Sequence, residues 1–170
     1  MATRLPEVLD RARELSRVDL APAHRPPAAA RVLAATVVSV LGCLAADAAL
    51  VAVGVFVFPS TKGYAHFQFA DYGKLTVVGV LIACAAWPVV TRVSSAPRWL
   101  FFRLAILVTL VLWLPDLLIL AWGQPPRAVA VLMVMHLAIA VITYNCLVHL
   151  APPRRGERAT ARQGVIPGER

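Results

Sequence analysis

The sequence predicts an all-α membrane protein: an antiparallel bundle of four transmembrane helices with both termini in the cytoplasm. Three observations predict this fold. A mean hydropathy of +0.72 and 59% hydrophobic residues are too high for an ordinary soluble domain of 170 residues. Four apolar stretches approach or exceed the length of about 20 residues that a helix needs to cross a bilayer. Arg and Lys residues are concentrated on one side of these stretches.

The first 30 residues form a basic segment. Between Leu5 and Leu20, apolar residues recur at helical spacing with Arg and Glu between them, which is typical of an amphipathic helix on a membrane surface. A basic arm without regular structure is the alternative. Pro22, Pro26 and Pro27 end this segment before the first span. The length of the segment distinguishes the first span from a cleavable signal peptide, so we expect the span to remain in the mature protein.

The four predicted spans cover approximately residues 32–58, 75–93, 99–122 and 128–150. The aromatic-rich connection 59–74 is predicted to lie at the external membrane interface, with a ligand-facing role as the alternative. The connection 123–127 is so short that the third and fourth spans must be antiparallel neighbours. The chain therefore divides into a basic cytoplasmic segment (1–30), a transmembrane domain (31–151) and a disordered cytoplasmic tail (152–170).

The orientation follows from the distribution of positive charge. Fourteen Arg residues fall on the side of the two termini, whereas Lys62, Lys74 and Arg127 fall on the other side. The positive-inside rule then places both termini in the cytoplasm, against the anionic inner leaflet. The net charge of +8 does not predict nucleic-acid binding, because the basic residues lie in tails and short connections. Fifteen Arg against two Lys indicate a GC-rich bacterial genome, and hence the plasma membrane.

Three ionisable residues lie inside the predicted spans: Asp47, Asp116 and His136. Such a residue costs on the order of 3 kcal/mol in the hydrocarbon core, so it is expected to face the bundle interior. At a rise of about 1.5 Å per residue, all three fall at a similar depth in the outer half of the membrane. We therefore predict a hydrogen bond or ion pair between Asp116 and His136, with Asp47 as a third member.

Two interpretations of these residues compete. They can form a structural clamp that fixes which helices pair. Alternatively, a His with an ordinary pKa near 6.5 beside two carboxylates can bind and release protons or hold a ligand. One His and two Asp without a sequential motif do not predict a metal site. The three cysteines stand singly in separate spans, and no cofactor motif is present.

Other polar or unusual residues in the spans predict helix geometry and contacts. Pro88 and Pro115 predict kinks, because each proline removes an amide donor from its helix. Gly79, with the alanines that follow it, predicts a small-residue packing face in the second span. Asn145 lies on the opposite side of the fourth span from His136, which predicts a second helix contact or an oligomer interface.

The segments WLPDLLIL in the third span and AVLMVMHLAIAVIT in the fourth resemble a family of small four-span bacterial membrane proteins that is known as a domain of unknown function. A Pro-Asp dipeptide and a later His recur in that family, matching Pro115, Asp116 and His136. The resemblance covers about residues 30 to 151. It implies a four-helix membrane bundle and carries no activity with it.

Two functions are compatible with this sequence. The first is association, as an accessory or interaction subunit of the cell envelope, or as a homo-oligomer. The second is proton-coupled transport or export by an oligomer, through the buried Asp47, Asp116 and His136. We do not expect an enzyme, because the sequence has no nucleophile with an aligned base and no phosphate-binding glycine motif.

Overall fold

A computed structural model describes residues 24–155 of the chain. The predicted amphipathic helix and the tail beyond residue 155 lie outside the described residues. Four helices make up most of the described chain: α1 (Ala29–Val57), α2 (Phe69–Val93), α3 (Pro97–Ala121) and α4 (Pro126–Leu150). Two short strands flank them, β1 (His24–Arg25) and β2 (Arg154–Arg155), and these pair antiparallel.

All four helices are long and apolar enough to cross a membrane. The shortest have 25 residues, which corresponds to about 37 Å. Pro97 and Pro126 open α3 and α4 in the first turn, where a missing amide hydrogen costs no helical hydrogen bond. Gly123, with φ +88°, ends α3 in a Schellman motif, in which Gln124 N donates to Ile119 O at 3.1 Å.

The helices pack into one bundle in which α1 and α4 share the largest interface. Helix α4 also packs on α3, as the short connection between them predicts, and α1 packs on α2. Glycine allows the close approach of α1 to α4: a Cβ atom on Gly54 would lie 2.9 Å from Val131 Cγ2. Small residues that let two backbones approach are a common way to pack helices in membranes.

The two ends of the bundle differ in what they carry. Strands β1 and β2 join the two ends of the described part of the chain, with His24 opposite Arg155 and Arg25 opposite Arg154. We call this end the terminal end. The opposite end carries the connection between α1 and α2, and we call it the loop end.

Helix α2 differs from its prediction in two respects. It begins at Phe69 rather than near residue 75, because its first turns carry Asp71 and Lys74 and continue beyond the apolar run. The predicted packing face is wrong at Gly79, where a methyl group would have no neighbour within 4 Å. Instead, larger side chains, including the fully buried Val80 and Trp87, fill the space between α2 and the other helices.

Both prolines within the spans lie inside continuous helices. Pro88 lies in α2 and Pro115 in α3. The Thr91 hydroxyl donates to the carbonyl oxygen of Pro88 at 2.8 Å, so part of the backbone polarity near this proline is paired by a side chain. The predicted kinks stay predictions.

Candidate functional site

Asp47 lies on the buried face of α1, together with Ser39, Cys43 and Gly54. Its side chain is fully buried. The Thr76 hydroxyl of α2 donates to Asp47 Oδ2 at 2.7 Å, whereas Oδ1 is buried and has no hydrogen-bond partner within residues 24–155. The carboxyl group is therefore only half satisfied.

Asp116 and His136 meet across the interface between α3 and α4. Asp116 Oδ2 lies 3.0 Å from His136 Nδ1, and the two side chains are 8% and 25% exposed. The two atoms are buried, and their relative orientation is not that of an aligned hydrogen bond. The contact is therefore a close acid–base pair between α3 and α4.

The Asp47–Thr76 contact and the Asp116–His136 contact are close enough to interact electrostatically. His136 is close enough to Asp47 for a direct charge interaction between the two groups. All four helices thus contribute to one group of side chains, which we call the polar cluster: Asp47, Thr76, Asp116 and His136.

Local contacts fix the register of α3 against α4 at this depth. Trp113 Nε1 donates to the carbonyl oxygen of Met133 at 3.1 Å. Trp113 lies one turn from Asp116 along α3, and Met133 lies one turn from His136 along α4. This hydrogen bond therefore joins the two helices close to the acid–base pair.

The connection between α1 and α2 folds down onto the bundle. It contains two short 3₁₀ turns, Pro59–Thr61 and Ala65–Phe67. Thr61 is 2% exposed and Phe67 is 9% exposed. Phe67 belongs to an apolar group with Met135 of α4. The connection therefore covers the bundle at the loop end.

Tyr64 links this connection to the polar cluster. Its hydroxyl oxygen is buried and has no hydrogen-bond partner among the described residues. Burial raises the pKa of the Tyr64 phenol, and the negative charge of Asp116 raises this pKa further. Tyr64 is therefore a neutral hydroxyl group within the electrostatic reach of the buried carboxylate.

An exposed acid–base pair lies on the outer side of Tyr64. His66 Nδ1 lies 2.7 Å from Asp71 Oδ2, and the two side chains are 47% and 41% exposed. The His66 ring packs edge-on against Tyr64, with ring centroids 5.3 Å apart. His66 therefore contacts the ring of Tyr64, while no hydrogen bond among the described residues joins the Tyr64 hydroxyl group to His66 or to Asp116.

Sequence reasoning identified three members of this site and missed two contributors. Thr76 was not singled out, although a hydroxyl in the outer turns of an apolar span is a signal for a partner of Asp47. Tyr64 belongs to the aromatic-rich connection that the sequence places at the membrane interface. The burial of its hydroxyl group depends on how this connection folds.

The remaining candidate ligands do not converge. Among residues 24–155, no group of three or more His, Cys, Asp or Glu side chains has an arrangement that could hold a metal ion. Cys43, Cys84 and Cys146 are free thiols, and Cys43 Sγ lies 3.5 Å from Thr143 Oγ1. No protein-family model, curated protein or solved structure matches this chain.

Proposed function

We propose that this protein crosses the bacterial plasma membrane four times, with the loop end outside, and that its polar cluster binds and releases a proton. The length and apolarity of the four helices support membrane insertion. The pairing of β1 with β2 supports a common side for both chain ends. The excess of Arg residues around the terminal end supports a cytoplasmic location for that side. Membership of the four-span family that the Pro-Asp and His motif resembles is part of this proposal.

Reporter fusions test the orientation. Alkaline phosphatase, which folds only outside the cytoplasm, is inserted at the exposed Gly63 or fused after Arg170. We expect activity from the Gly63 insertion and none from the C-terminal fusion. The reverse pattern would place the loop end inside and contradict the orientation.

The observation that carries the proton proposal is the carboxyl group of Asp47, which has one oxygen without a partner and lies near the Asp116–His136 pair. A cluster that served only to hold helices together would be expected to pair its buried polar atoms, since each unpaired atom costs about 1–3 kcal/mol. Here Asp47 Oδ1 has no hydrogen-bond partner among the described residues, and the 3.0 Å contact between Asp116 Oδ2 and His136 Nδ1 is not aligned as a hydrogen bond. These acceptors and this imidazole suit a mobile proton better than a fixed clamp.

Proton binding changes the net charge of the polar cluster. The cluster contains two carboxyl groups and one imidazole. Uptake of one proton by a carboxylate makes the net charge of the cluster more positive by one and adds an O–H donor. A charge that alternates in this way couples proton movement to the binding of a cationic substrate, which gives proton-coupled transport or export. In this proposal the proton enters from the loop end past Tyr64, whose hydroxyl group lies within electrostatic reach of Asp116.

Infrared spectroscopy of the protein in lipid vesicles tests proton binding directly. We expect a pH-dependent carbonyl band of a protonated carboxyl group that is lost in Asp47→Asn or Asp116→Asn. Asp71→Asn is the matched control, because Asp71 is an exposed aspartate with its own His partner. If neither buried substitution alters the pH-dependent bands, the cluster does not exchange a proton.

Transport is tested separately in cells and vesicles. We expect Asp47→Asn and Asp116→Asn to reach the membrane in normal amount while losing resistance to cationic compounds or pH-driven flux. Asp71→Asn should retain both. If the buried substitutions leave resistance and flux unchanged, the transport role is excluded even where the infrared band confirms a proton site.

Association with another membrane protein is the second candidate. Helix α3 favours it, because only 11% of its most apolar stretch is buried inside the bundle, against 33% for α2. Most of α3 is thus free to contact lipid or a partner. An accessory subunit should copurify with a fixed partner in mild detergent, and purification as a lone monomer would count against this role.

A further inference from the structure

Asn145 is a polar residue on the outward face of α4, at the end of the stripe Val134, Leu137 and Val141. It lies seven residues from the middle of the helix, or about 10 Å, whereas half of the hydrocarbon core is about 15 Å thick. In the proposed membrane orientation, the amide would therefore face lipid hydrocarbon.

The amide of Asn145 is only partly satisfied within its own chain. Its Nδ2 donates to the carbonyl oxygen of Val141 at 2.8 Å. Within residues 24–155, no group donates to Asn145 Oδ1, and the second N–H has no acceptor. An amide in hydrocarbon with an unused donor and an unused acceptor is costly, so a partner across a helix interface is favoured.

A groove runs beside Asn145 between α3 and α4. Its volume is about 400 Å³, and the small residues Ala105, Thr109 and Ala140 leave the space. Leu137, Val141 and Asn145 line it from α4. The groove is almost entirely apolar apart from the amide, so its occupant should present apolar side chains and one hydrogen-bonding group.

We propose that a second copy of this chain occupies this surface, with the two Asn145 side chains hydrogen-bonded to each other. Identical chains insert in the same orientation, so a two-fold axis perpendicular to the membrane brings the two residues to the same depth. Each amide donates its free N–H to Oδ1 of the other, which satisfies both. The outward stripe of one α4 packs into the groove of its partner. This inference goes beyond the proton proposal and does not depend on it.

Energy transfer between labelled copies in lipid vesicles measures the dimer. We expect Asn145→Val to raise the dissociation constant about 5- to 30-fold, the range for interhelical side-chain hydrogen bonds in membranes. Asn145→Gln should retain part of the affinity, because the amide is kept. Leu41→Ala, at a 63% exposed position on α1, is the control and should have no effect.

A cross-linking experiment keeps Asn145 in place, so its result does not depend on whether the Asn145 variants fold. Cys43, Cys84 and Cys146 are replaced by Ala, and Val141→Cys or Leu41→Cys is introduced. We expect oxidised dimers from Val141→Cys and not from Leu41→Cys. A monomer in vesicles, equal cross-linking at the two positions, or a different polypeptide captured at Val141→Cys would overturn the proposal. Loss of the dimer with the pH-dependent carboxyl band intact would separate this surface from the proton site.

Discussion

The two ends of the bundle differ in the side chains that are buried there. At the terminal end, Trp87 is fully buried, packs on Phe101 at 5.0 Å and donates to the carbonyl oxygen of Ala151 at 2.8 Å. At the loop end, Asp47 is equally buried but leaves one oxygen without a partner. A large, hydrogen-bonded side chain thus fills the centre of the terminal end, although Ser39 Oγ and His24 Nδ1 are also buried in that half without a partner among the described residues. The buried carboxyl groups lie in the half towards the loop end, and the proposed proton site belongs to that half.

The largest effect is expected from Trp87→Ala, which empties the centre of the terminal end. Loss of the indole contacts and of the hydrogen bond to Ala151 should lower the free energy of unfolding by about 3 kcal/mol. Reversible unfolding in detergent measures this change. Trp122→Ala is the matched control, because Trp122 is 73% exposed, and it should have little effect. Equal losses of unfolding free energy in the two variants would contradict the central packing role of Trp87 at the terminal end.

A smaller loss is expected from Thr76→Val at the loop end. This substitution keeps the shape of the side chain but removes the hydroxyl that donates to Asp47. Leaving both carboxyl oxygens unpaired should cost about 2 kcal/mol in the same unfolding assay. The control is Thr36→Val, since the Thr36 hydroxyl donates to Val32 O within its own helix at 2.8 Å. No difference between the two variants would mean that Asp47 does not need this donor.

The acid–base pair should show weak coupling in a double-mutant cycle. We expect Asp116→Asn and His136→Gln to interact by less than about 1 kcal/mol in unfolding free energy, because their 3.0 Å contact is not aligned as a hydrogen bond and polar contacts between membrane helices couple weakly on average. A coupling above about 2 kcal/mol, with the double variant no less stable than either single variant, would favour a structural clamp. That result would remove the contrast between the two ends.

Two glycine substitutions are expected to give the smallest effects, with opposite signs. Gly79→Ala adds a methyl group in open space on α2, so it should stabilise the helix by about 0.5–1 kcal/mol. Gly54→Ala places Cβ 2.9 Å from Val131 Cγ2 and should destabilise the protein by about 1–2 kcal/mol. Thermal unfolding resolves the signs, and the same sign for both would contradict the described α1–α4 contact.

The fold was largely predictable because long apolar runs leave the backbone few alternatives in a membrane. The short connection between α3 and α4 also made them neighbours, and at matched depth Asp116 then falls near His136. The partner of Asp47 was less predictable, since Thr76 belongs to a helix whose rotation depends on packing around Trp87. That same packing turned Gly79 outward. Tyr64 could not be placed because loop conformation is not encoded in hydropathy.

The buried carboxyl groups have partners that are close in the order of synthesis. Asp47 is joined by Thr76 from the next helix, and Asp116 by His136 from the helix that follows it. In the proposed insertion into a membrane from the N-terminus, the partner of each acidic residue therefore arrives with the next helix. The large α1–α4 interface, by contrast, can form only after the last helix has emerged. In this order of assembly, the buried polar contacts form helix by helix, and the α1–α4 interface forms in the final step.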